Sequence, residues 1–449
     1  MSRLRATVAT RTRIRIGVVI VLALVALTLG HAAFTGLSTQ TEADVPDAPP
    51  TDNVTVVTES ARAGTLIAYA PNGSVYYYND SHTKYFDVDP VAGTSMTVGY
   101  TATDTIHSSG PTCSDPPCTR NVVERANLST GEVTELYARY DDSELAAEWH
   151  DAERVDENHL LIADIIDDQV FIVDTETGIV EWLWDAQAAY PVTGGGPYPR
   201  DWAHINDIEL LDDGRVMVSL RNQDQVVFLD RETGVIEEWT LGSEDDYETL
   251  FEQHNPDYIP EIRGGPAVVV ADSENGRVQE FQRVDGGWER TWQWSDERMQ
   301  WPRDADRLPN GNTLVADTHG KRIIEIDATG DIVWDVPMTH PYDVERLGTG
   351  PESAGGESAR SLGLESRTAE TTTTDEAGIE PLAPLAAVVH AVIPSRVVNA
   401  ALYVGPTWMG RLEFLAVAIG LVTGVGWLAV ELRWRLPTLG VRWPVYREE

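Results

Sequence analysis

The sequence is almost without lysine, which occurs only at Lys84 and Lys321, so arginine supplies nearly all of the positive charge. Asp and Glu number 72 against 33 Lys and Arg, giving a formal net charge of −39. Such an acidic surface repels nucleic acid, which binds basic patches. A disordered acidic chain is also excluded, because 42% of residues are hydrophobic and 14 are Trp. Scattered acid with little lysine predicts adaptation to concentrated salt, where screening weakens self-repulsion.

Cysteine is equally scarce, with Cys113 and Cys118 enclosing a short Pro-containing loop. A location outside the cell permits a disulfide here. A metal site needs further soft ligands close by, and the surrounding sequence offers none. The pair is therefore a candidate disulfide, and its state stays open at this point.

Two apolar runs place the chain at a membrane. The first, residues 16–36, follows an Arg-rich segment 1–15, and the second, 412–431, precedes an Arg-containing tail 432–449. Each has roughly the ~20 residues that a membrane-spanning helix needs. The positive-inside rule predicts that both termini are cytoplasmic and that the chain between the spans is extracellular. Ala32-Ala33 leaves a cleavable signal peptide as an alternative, in which case the second span still holds the protein in the cell membrane.

Three further segments are expected to carry no packed domain. Residues 37–63 are predicted to be a linker, and 348–381, rich in Gly, Ser, Glu and Thr, a disordered acidic linker. Residues 382–404 are apolar but contain His390, Pro394 and Arg396, so they predict an interfacial amphipathic segment.

Residues 64–347 contain a repeat of roughly 50 residues. Four units open at His150, His204, His254 and Arg303, and each holds four short β-branched runs separated by Gly, Asn and Asp turns. This pattern predicts an all-β fold, a six-bladed β-propeller, with five or seven blades possible. The strand that begins at His340 is expected to complete a blade whose other strands come from the runs at 66–69 and 75–78, closing the ring.

Histidine recurs at the opening of three consecutive units, as His150, His204 and His254. The first strand of a blade lines the central channel, so these residues are expected to form a ring around one mouth. The ring is either a reactive centre or a set of polar residues that hold turns and strands together. The repeat alone does not decide between these readings.

A motif in the second unit favours the reactive centre. It runs Asp201-Trp-Ala-His204-Ile-Asn206 and leads through a hairpin to a strand that ends at Arg221. This resembles the aryl sulfotransferases that need no nucleotide donor, in particular membrane-anchored members of the haloarchaeal type. His150 and His254 resemble the family's earlier and later histidines. The cysteine pair lies far upstream of His254, which departs from the family pattern.

The resemblance implies an enzyme that moves a sulfuryl group from a small aryl sulfate to a hydroxylated or phenolic acceptor through a sulfohistidine. It implies His254 as nucleophile and His204 as acid and base. His150 and Arg221 would hold the sulfuryl oxygens, and Asn206 would orient or donate. No cofactor or metal is implied, nucleic acid is not an expected partner, and the oligomeric state is not indicated.

The ends of the units support an alternative. The Thr-Gly-x-x-x-Trp pattern at Trp182, with Trp239 and Trp334 in similar places, predicts packing between blades. It also resembles quinone-cofactor dehydrogenase propellers and their cofactor-free scaffolding relatives. A non-catalytic, membrane-anchored propeller for binding or assembly is therefore the second hypothesis.

Overall fold

The computed structural model describes residues 2–36, 42, 45–61, 64–142, 147–368 and 394–435. The chain divides into two compact units, one formed by 40–376 and the other by 1–39 together with 377–449.

The unit 40–376 is a six-bladed β-propeller, as predicted, built from six antiparallel sheets. Its strands in chain order are β1 (Thr55–Glu59), β2 (Leu66–Tyr69), β3 (Val75–Asn79), β4 (Lys84–Pro90), β5 (Thr97–Ile106), β6 (Cys118–Asn127), β7 (Glu132–Asp141), β8 (Trp149–Arg154), β9 (His159–Asp164), β10 (Gln169–Asp174), β11 (Val180–Asp185), β12 (Ile205–Leu210), β13 (Val216–Leu220), β14 (Gln225–Asp230), β15 (Gly234–Val235), β16 (Leu241–Gly242), β17 (His254–Ile259), β18 (Ala267–Asp272), β19 (Arg277–Val284), β20 (Gly287–Trp294), β21 (Pro302–Arg307), β22 (Thr313–Asp317), β23 (Arg322–Ile326), β24 (Ile332–Pro337) and β25 (Pro341–Arg346).

Blade 1 closes the ring by combining the two ends of this unit. Its strand order is β25-β1-β2-β3, so the predicted blade of the His340 segment with the runs at 66–69 and 75–78 is confirmed, with the additional strand β1 between β25 and β2. Strand β1, Thr55–Glu59, lies inside the segment 37–63 that the sequence assigns to a linker, and that part of the assignment is wrong. Its run Thr-Val-Val-Thr is β-branched and is buried between β2 and β25. Blades 2 to 6 follow as β4–β7, β8–β11, β12–β16, β17–β20 and β21–β24.

The first strands of neighbouring blades contact one another around the ring, β4 with β8, β8 with β12, β12 with β17, β17 with β21, β21 with β25 and β25 with β4. They therefore line a central channel. Each has a β-bulge near its start, where the pairing to the next strand shifts register. A bulge re-aims side chains. The bulged positions are Phe86 and Asp87, His150 and Asp151, Asn206, Asn255 and Pro256, Arg303, and Tyr342 and Asp343.

Apolar side chains from facing blades form the core. Each pair of neighbouring blades encloses one cluster of buried residues. The cluster of blades 3 and 4, for example, joins Leu161 and Val170 to Ile208 and Val218, all buried. The Trp residues at blade ends contact the next blade: the indole N–H of Trp182 donates to the Arg231 carbonyl at 2.9 Å, and that of Trp334 to the Pro49 carbonyl at 2.9 Å. Cys113 and Cys118 form a disulfide.

The segment after β25 is partly ordered on the propeller, contrary to the predicted disordered linker 348–381. The segment contains a short helix, α3 (Ala359–Leu362). The other short helix of this unit, the single turn α2 (Ala186–Ala189), lies in the connection between blades 3 and 4. The Ala359 N–H donates to both oxygens of the Glu280 carboxylate at 2.8 and 2.9 Å, and the Arg367 N–H donates to the Gln293 carbonyl at 3.0 Å. These specific bonds outweigh the flexible composition up to Thr368, and residues 369–381 lie outside the described part.

The second unit contains three described helices, α1 (Ser2–Gly36), α4 (Ser395–Val404) and α5 (Arg411–Arg435). Residues 10–34 of α1 and 412–434 of α5 are long and apolar enough to cross a membrane. Arg15 near the start of α1 donates to Glu431 near the end of α5 at 2.9 Å, and Arg11 lies 5.0 Å from the Trp434 ring. The two helices are therefore antiparallel, and the N-terminal part of α1 lies beside the C-terminal end of α5. Of the predicted interfacial segment 382–404, residues 395–404 are helical and 382–393 lie outside the described part.

Candidate active site

Aromatic and imidazole rings form a continuous series at one mouth of the channel. Successive ring centroids are separated by 5.1 Å from His204 to His150, 5.4 Å from His150 to Tyr342 and 6.4 Å from Tyr342 to His254. The series continues over 5.9 Å to Trp301 and 4.4 Å to His319. The three histidines predicted from the repeat therefore meet, although they belong to blades 3, 4 and 5.

His254 has one ring nitrogen bonded and the other unpartnered. Its Nδ1 lies 2.8 Å from Ser273 Oγ and 3.2 Å from the Glu252 carbonyl oxygen. The Ser273 hydroxyl donates to the Pro302 carbonyl at 2.7 Å, so its oxygen accepts from Nδ1–H. The lone pair of the neutral ring is thus on Nε2, which is buried without a hydrogen-bond partner among the described residues. Burial, followed by the charges of Arg303 and Arg221, holds the pKa of His254 well below its usual range.

His204 is held from both sides by charged neighbours. Its Nδ1 bonds to the Asp201 carboxylate, and its Nε2 accepts from Arg221 Nη1 at 3.1 Å. Burial and then the Arg221 charge lower the pKa of His204, outweighing the opposite effect of Asp201. His204 therefore has a neutral ring whose Nε2 carries a lone pair directed at a guanidinium.

Arg221 lies at the end of β13, as the motif predicted, with its Nε bonded to Asn222 Oδ1 at 3.0 Å. Carboxylates of Asp201 and Glu252 lie 3.9 and 4.0 Å away, at the limit of an ion pair. Both are too distant for good hydrogen bonds. The planar guanidinium stays charged and is suited to hold an oxyanion.

His150 lies between His204 and Tyr342 and stacks on Phe86 at 4.4 Å between centroids. Its Nδ1 is buried without a hydrogen-bond partner among the described residues. Burial, His204 and Arg303 hold its pKa well below the usual range. A neutral imidazole here can donate or accept toward a bound group.

Asn206 is bound into the fold. Its Nδ2 donates to the Gln253 carbonyl at 2.8 Å, and the side chain is fully buried. This bond links the first strand of blade 4 to the residue before His254. Of the two roles that the sequence suggested for Asn206, the geometry favours orienting over donating to substrate.

Several residues of the mouth were missed or had no role from sequence. Arg303 lies 4.3 Å from the Trp301 ring and 4.9 Å from the Tyr342 ring, and it donates to Ser60 Oγ at 2.7 Å. It adds a second buried cation to the cluster. The sequence did point to Arg303, because this residue opens a repeat unit as the histidines do. Ser273 and Tyr342 gave no signal of their own.

The aspartates that end the second strands hold the loops that carry the site. Asp272 Oδ1 accepts from the Phe251 N–H at 2.8 Å, and Asp317 Oδ1 from the Gln300 N–H at 2.8 Å. Asp164 accepts from the Ile166 N–H at 3.0 Å and pairs with Arg139. Each of these aspartates therefore holds a turn or loop in place.

Residues 140–256 match the family model for arylsulfotransferase (ASST). This segment resembles the arylsulfotransferases. It contains all five residues that the sequence proposed, from His150 to His254, and it ends two residues after the proposed nucleophile. The match supports arylsulfotransferase-like activity in general terms. No curated protein matches the chain significantly.

Solved structures resemble this chain only loosely. A Bacteroides caccae protein of unknown function is 12% identical, covering 66% of this chain and 100% of its own, with a TM-score of 0.46. The Pseudomonas aeruginosa periplasmic gluconolactonase PpgL is 13% identical, covering 66% and 99%, with a TM-score of 0.43. Virginiamycin B lyase from Staphylococcus aureus is 11% identical, covering 54% and 76%, with a TM-score of 0.33. These likenesses carry no functional argument.

Proposed function

We propose that this protein is an aryl sulfotransferase that works through a sulfated histidine, His254. The observation that carries the proposal is the tautomer of His254: its Nδ1–H is bonded to Ser273 and its Nε2 lone pair has no partner among the described residues. A neutral imidazole with an available lone pair is a competent nucleophile. The low pKa of His254 keeps that lone pair unprotonated at neutral pH.

In the first half-reaction, Nε2 attacks the sulfur of an aryl sulfate. An N–S bond forms, the S–O bond to the aryl group breaks, and its electron pair leaves on the phenolate. Sulfuryl transfer is similar to phosphoryl transfer, where charge on the equatorial oxygens must be stabilised. Arg221 and Arg303 would supply positive charge to these oxygens, and His150, which both charges reach, would act as a neutral donor.

In the second half-reaction, the acceptor hydroxyl attacks the sulfur and the N–S bond breaks, which returns His254 to its neutral form. The hydroxyl proton passes to His204 Nε2, whose lone pair exchanges its contact with Arg221 for the acceptor. His204 then gives that proton to a departing phenolate in the next turnover. The acceptor thus loses the proton that the released phenol gains, so the cycle balances.

The proposed location is the cell membrane, with an extracellular propeller and both termini cytoplasmic. Two observations support it: both candidate spans are flanked by Arg at their outer ends, and α1 and α5 are antiparallel. The net charge of −39 supports a high-salt habitat. A melting temperature that does not rise between ~0.2 M and ~2 M KCl would count against that habitat.

An assay of the full chain in detergent and concentrated salt tests the function. The protein is incubated with 4-nitrophenyl sulfate and phenol, and nitrophenolate release is followed with and without acceptor. We expect release that depends on acceptor and is lost in His254→Ala. The matched control is His107→Ala, an exposed histidine of blade 2 that should retain full activity.

No turnover with several aryl sulfates, from a protein with a cooperative melting transition, would contradict the proposal. The same histidine ring would then act as a structural element of a binding or assembly propeller.

A further inference from the structure

The channel below the mouth is lined by a ring of aspartates. Each blade contributes one, either within the bulge of its first strand or directly after it, and all six are buried. The members are Asp87, Asp151, Asp207, Asp257, Asp304 and Asp343. A second acidic position follows two residues later in five of the blades, at Asp89, Glu153, Glu209, Asp306 and Glu345. The sulfuryl chemistry proposed above uses none of them.

Some of these carboxyl side chains have a structural role. Asp151 Oδ2 accepts from the Ile208 N–H at 2.6 Å, and Glu209 Oε2 accepts from the Tyr258 N–H at 2.8 Å. In each case a carboxylate of one blade binds the backbone of the next, so these bonds hold the ring of blades together. They satisfy one oxygen of each of these two carboxyl groups.

Asp257 has no such explanation. It is 6% exposed, its Oδ2 receives no N–H or O–H from the described residues, and its carboxyl group lies within hydrogen-bond distance of those of Asp306 and Glu352. Among the described residues, Arg263 is close enough to act on the charges of Asp257 and Glu209, but it forms no direct ion pair with either. A buried carboxylate without a donor or a cation is costly.

Glu352 brings a third carboxylate to the same place. It lies in the 3₁₀ turn Pro351–Ser353, which follows the last strand β25 and contacts the channel strands β4, β21 and β25. Carboxylate oxygens of Glu209, Asp257 and Glu352 lie within 4.8 Å of one another. Oxygen ligands of Ca²⁺ lie 2.3–2.6 Å from the ion, so two opposite ligands are separated by about 4.8 Å. The three oxygens thus fit one coordination sphere.

We propose that the channel binds one calcium ion between Glu209, Asp257 and Glu352. All of the ligand atoms are oxygens, which favours a hard cation over zinc or copper. Calcium tolerates irregular geometry, whereas magnesium needs a near-ideal octahedron, so the uneven set from three elements favours calcium. The ion would join blade 4, blade 5 and the turn after β25, and so stabilise the closure of the ring.

Calorimetry on the full chain in detergent and concentrated KCl, after removal of cations with EDTA, tests this site. We expect one Ca²⁺ per chain with a Kd between about 10⁻⁶ and 10⁻³ M, and binding of Mg²⁺ at least about tenfold weaker. Saturating Ca²⁺ should raise the melting temperature by about 5 °C or more. Both readouts are independent of sulfotransfer, so a failure of either proposal leaves the other standing.

Two variants localise the ion. Glu352→Gln should weaken Ca²⁺ binding at least about tenfold, and it should melt no lower than wild type without calcium, because it removes a repelling charge. Glu181→Gln is the control, since Glu181 belongs to a partly exposed cluster with His159 and Asp174 on the outside of blade 3. The proposal is overturned if EDTA-treated wild type takes up no calcium, or if Glu352→Gln binds it as well as wild type does.

Discussion

Ser273 Oγ lies 2.8 Å from His254 Nδ1 and donates its own hydrogen bond to the Pro302 carbonyl at 2.7 Å. The tautomer of His254 is thus set by a serine that follows the second strand of blade 5 and by a carbonyl at the start of blade 6. Through Asn206, blade 4 supports the residue before it. The proposed nucleophile is therefore positioned by three blades.

Replacing Ser273 should impair chemistry more than folding. Ser273→Ala removes the acceptor of Nδ1–H, so the ring can turn or change tautomer, and we expect kcat to fall about ten- to a hundredfold. The amount of sulfated enzyme trapped without acceptor should fall in parallel, while Ser273→Thr, which keeps the hydroxyl, should restore both. Equal kcat in wild type and Ser273→Ala would show that the hydrogen bond does not position His254.

The guanidinium of Arg221 should be required for its shape as well as its charge. Arg221→Ala is expected to lower kcat about 10²–10³-fold, the usual effect of losing a group that stabilises an oxyanion. Arg221→Lys keeps the charge but loses the planar fork, so it should recover only part of this. Arg231→Ala, on an exposed turn of the same blade, is the control. A fully active Arg221→Lys would mean that charge alone suffices.

Activity should persist in mildly acidic solution. Burial and nearby cations lower the pKa of His254 and of His204, so both rings stay neutral below the ordinary histidine value. We expect kcat/KM to be lost on acidification with a midpoint below pH 6.5, which is the pKa of histidine in model peptides. Arg303→Gln should move this midpoint upward, because it removes a positive charge that disfavours protonation. A midpoint at or above pH 6.5 in wild type would contradict the account.

His82 should make stability depend on pH on the alkaline side. Burial lowers its pKa, but hydrogen bonds to Asp104 at 2.9 Å and Glu124 at 3.1 Å outweigh this and raise the pKa to about 9. A raised histidine pKa stabilises the fold fully below the unfolded value near 6.5, and the benefit is lost as pH rises through 9. The melting temperature should therefore decrease from about pH 6.5 to 9. His82→Gln should flatten this decrease and His107→Gln should not.

The sequence predicted the ring of blades because repetition is visible without any contact information. It missed β1, Thr55–Glu59, because this second strand of blade 1 is far in sequence from the first strand β25, which lies at the other end of the propeller and pairs with it only in the fold. It also misassigned residues 348–368, since Gly and Ser there predict flexibility. The bonds to Glu280 and Gln293 that order this segment come from positions far away in the chain.

In the candidate site, too, some residues could be predicted from the sequence and others could not. His150, His204 and His254 were predictable because they share one place in the repeat, and the channel aspartates carry the same signal. Ser273 and Tyr342 were not, since a serine 19 residues from His254 and a tyrosine from the closing strand meet the site only in three dimensions. Which nitrogen of His254 is available depends on that serine, so composition and spacing alone could not indicate it.

Direct detection of sulfated His254 is the most decisive measurement. The full chain is mixed with 4-nitrophenyl sulfate without acceptor, quenched at alkaline pH and analysed by mass spectrometry of its peptides. We expect one sulfuryl group on His254, which disappears when phenol is added and never forms in His254→Ala. Turnover with no modified histidine, or with the group on His150 or His204, would contradict the proposal.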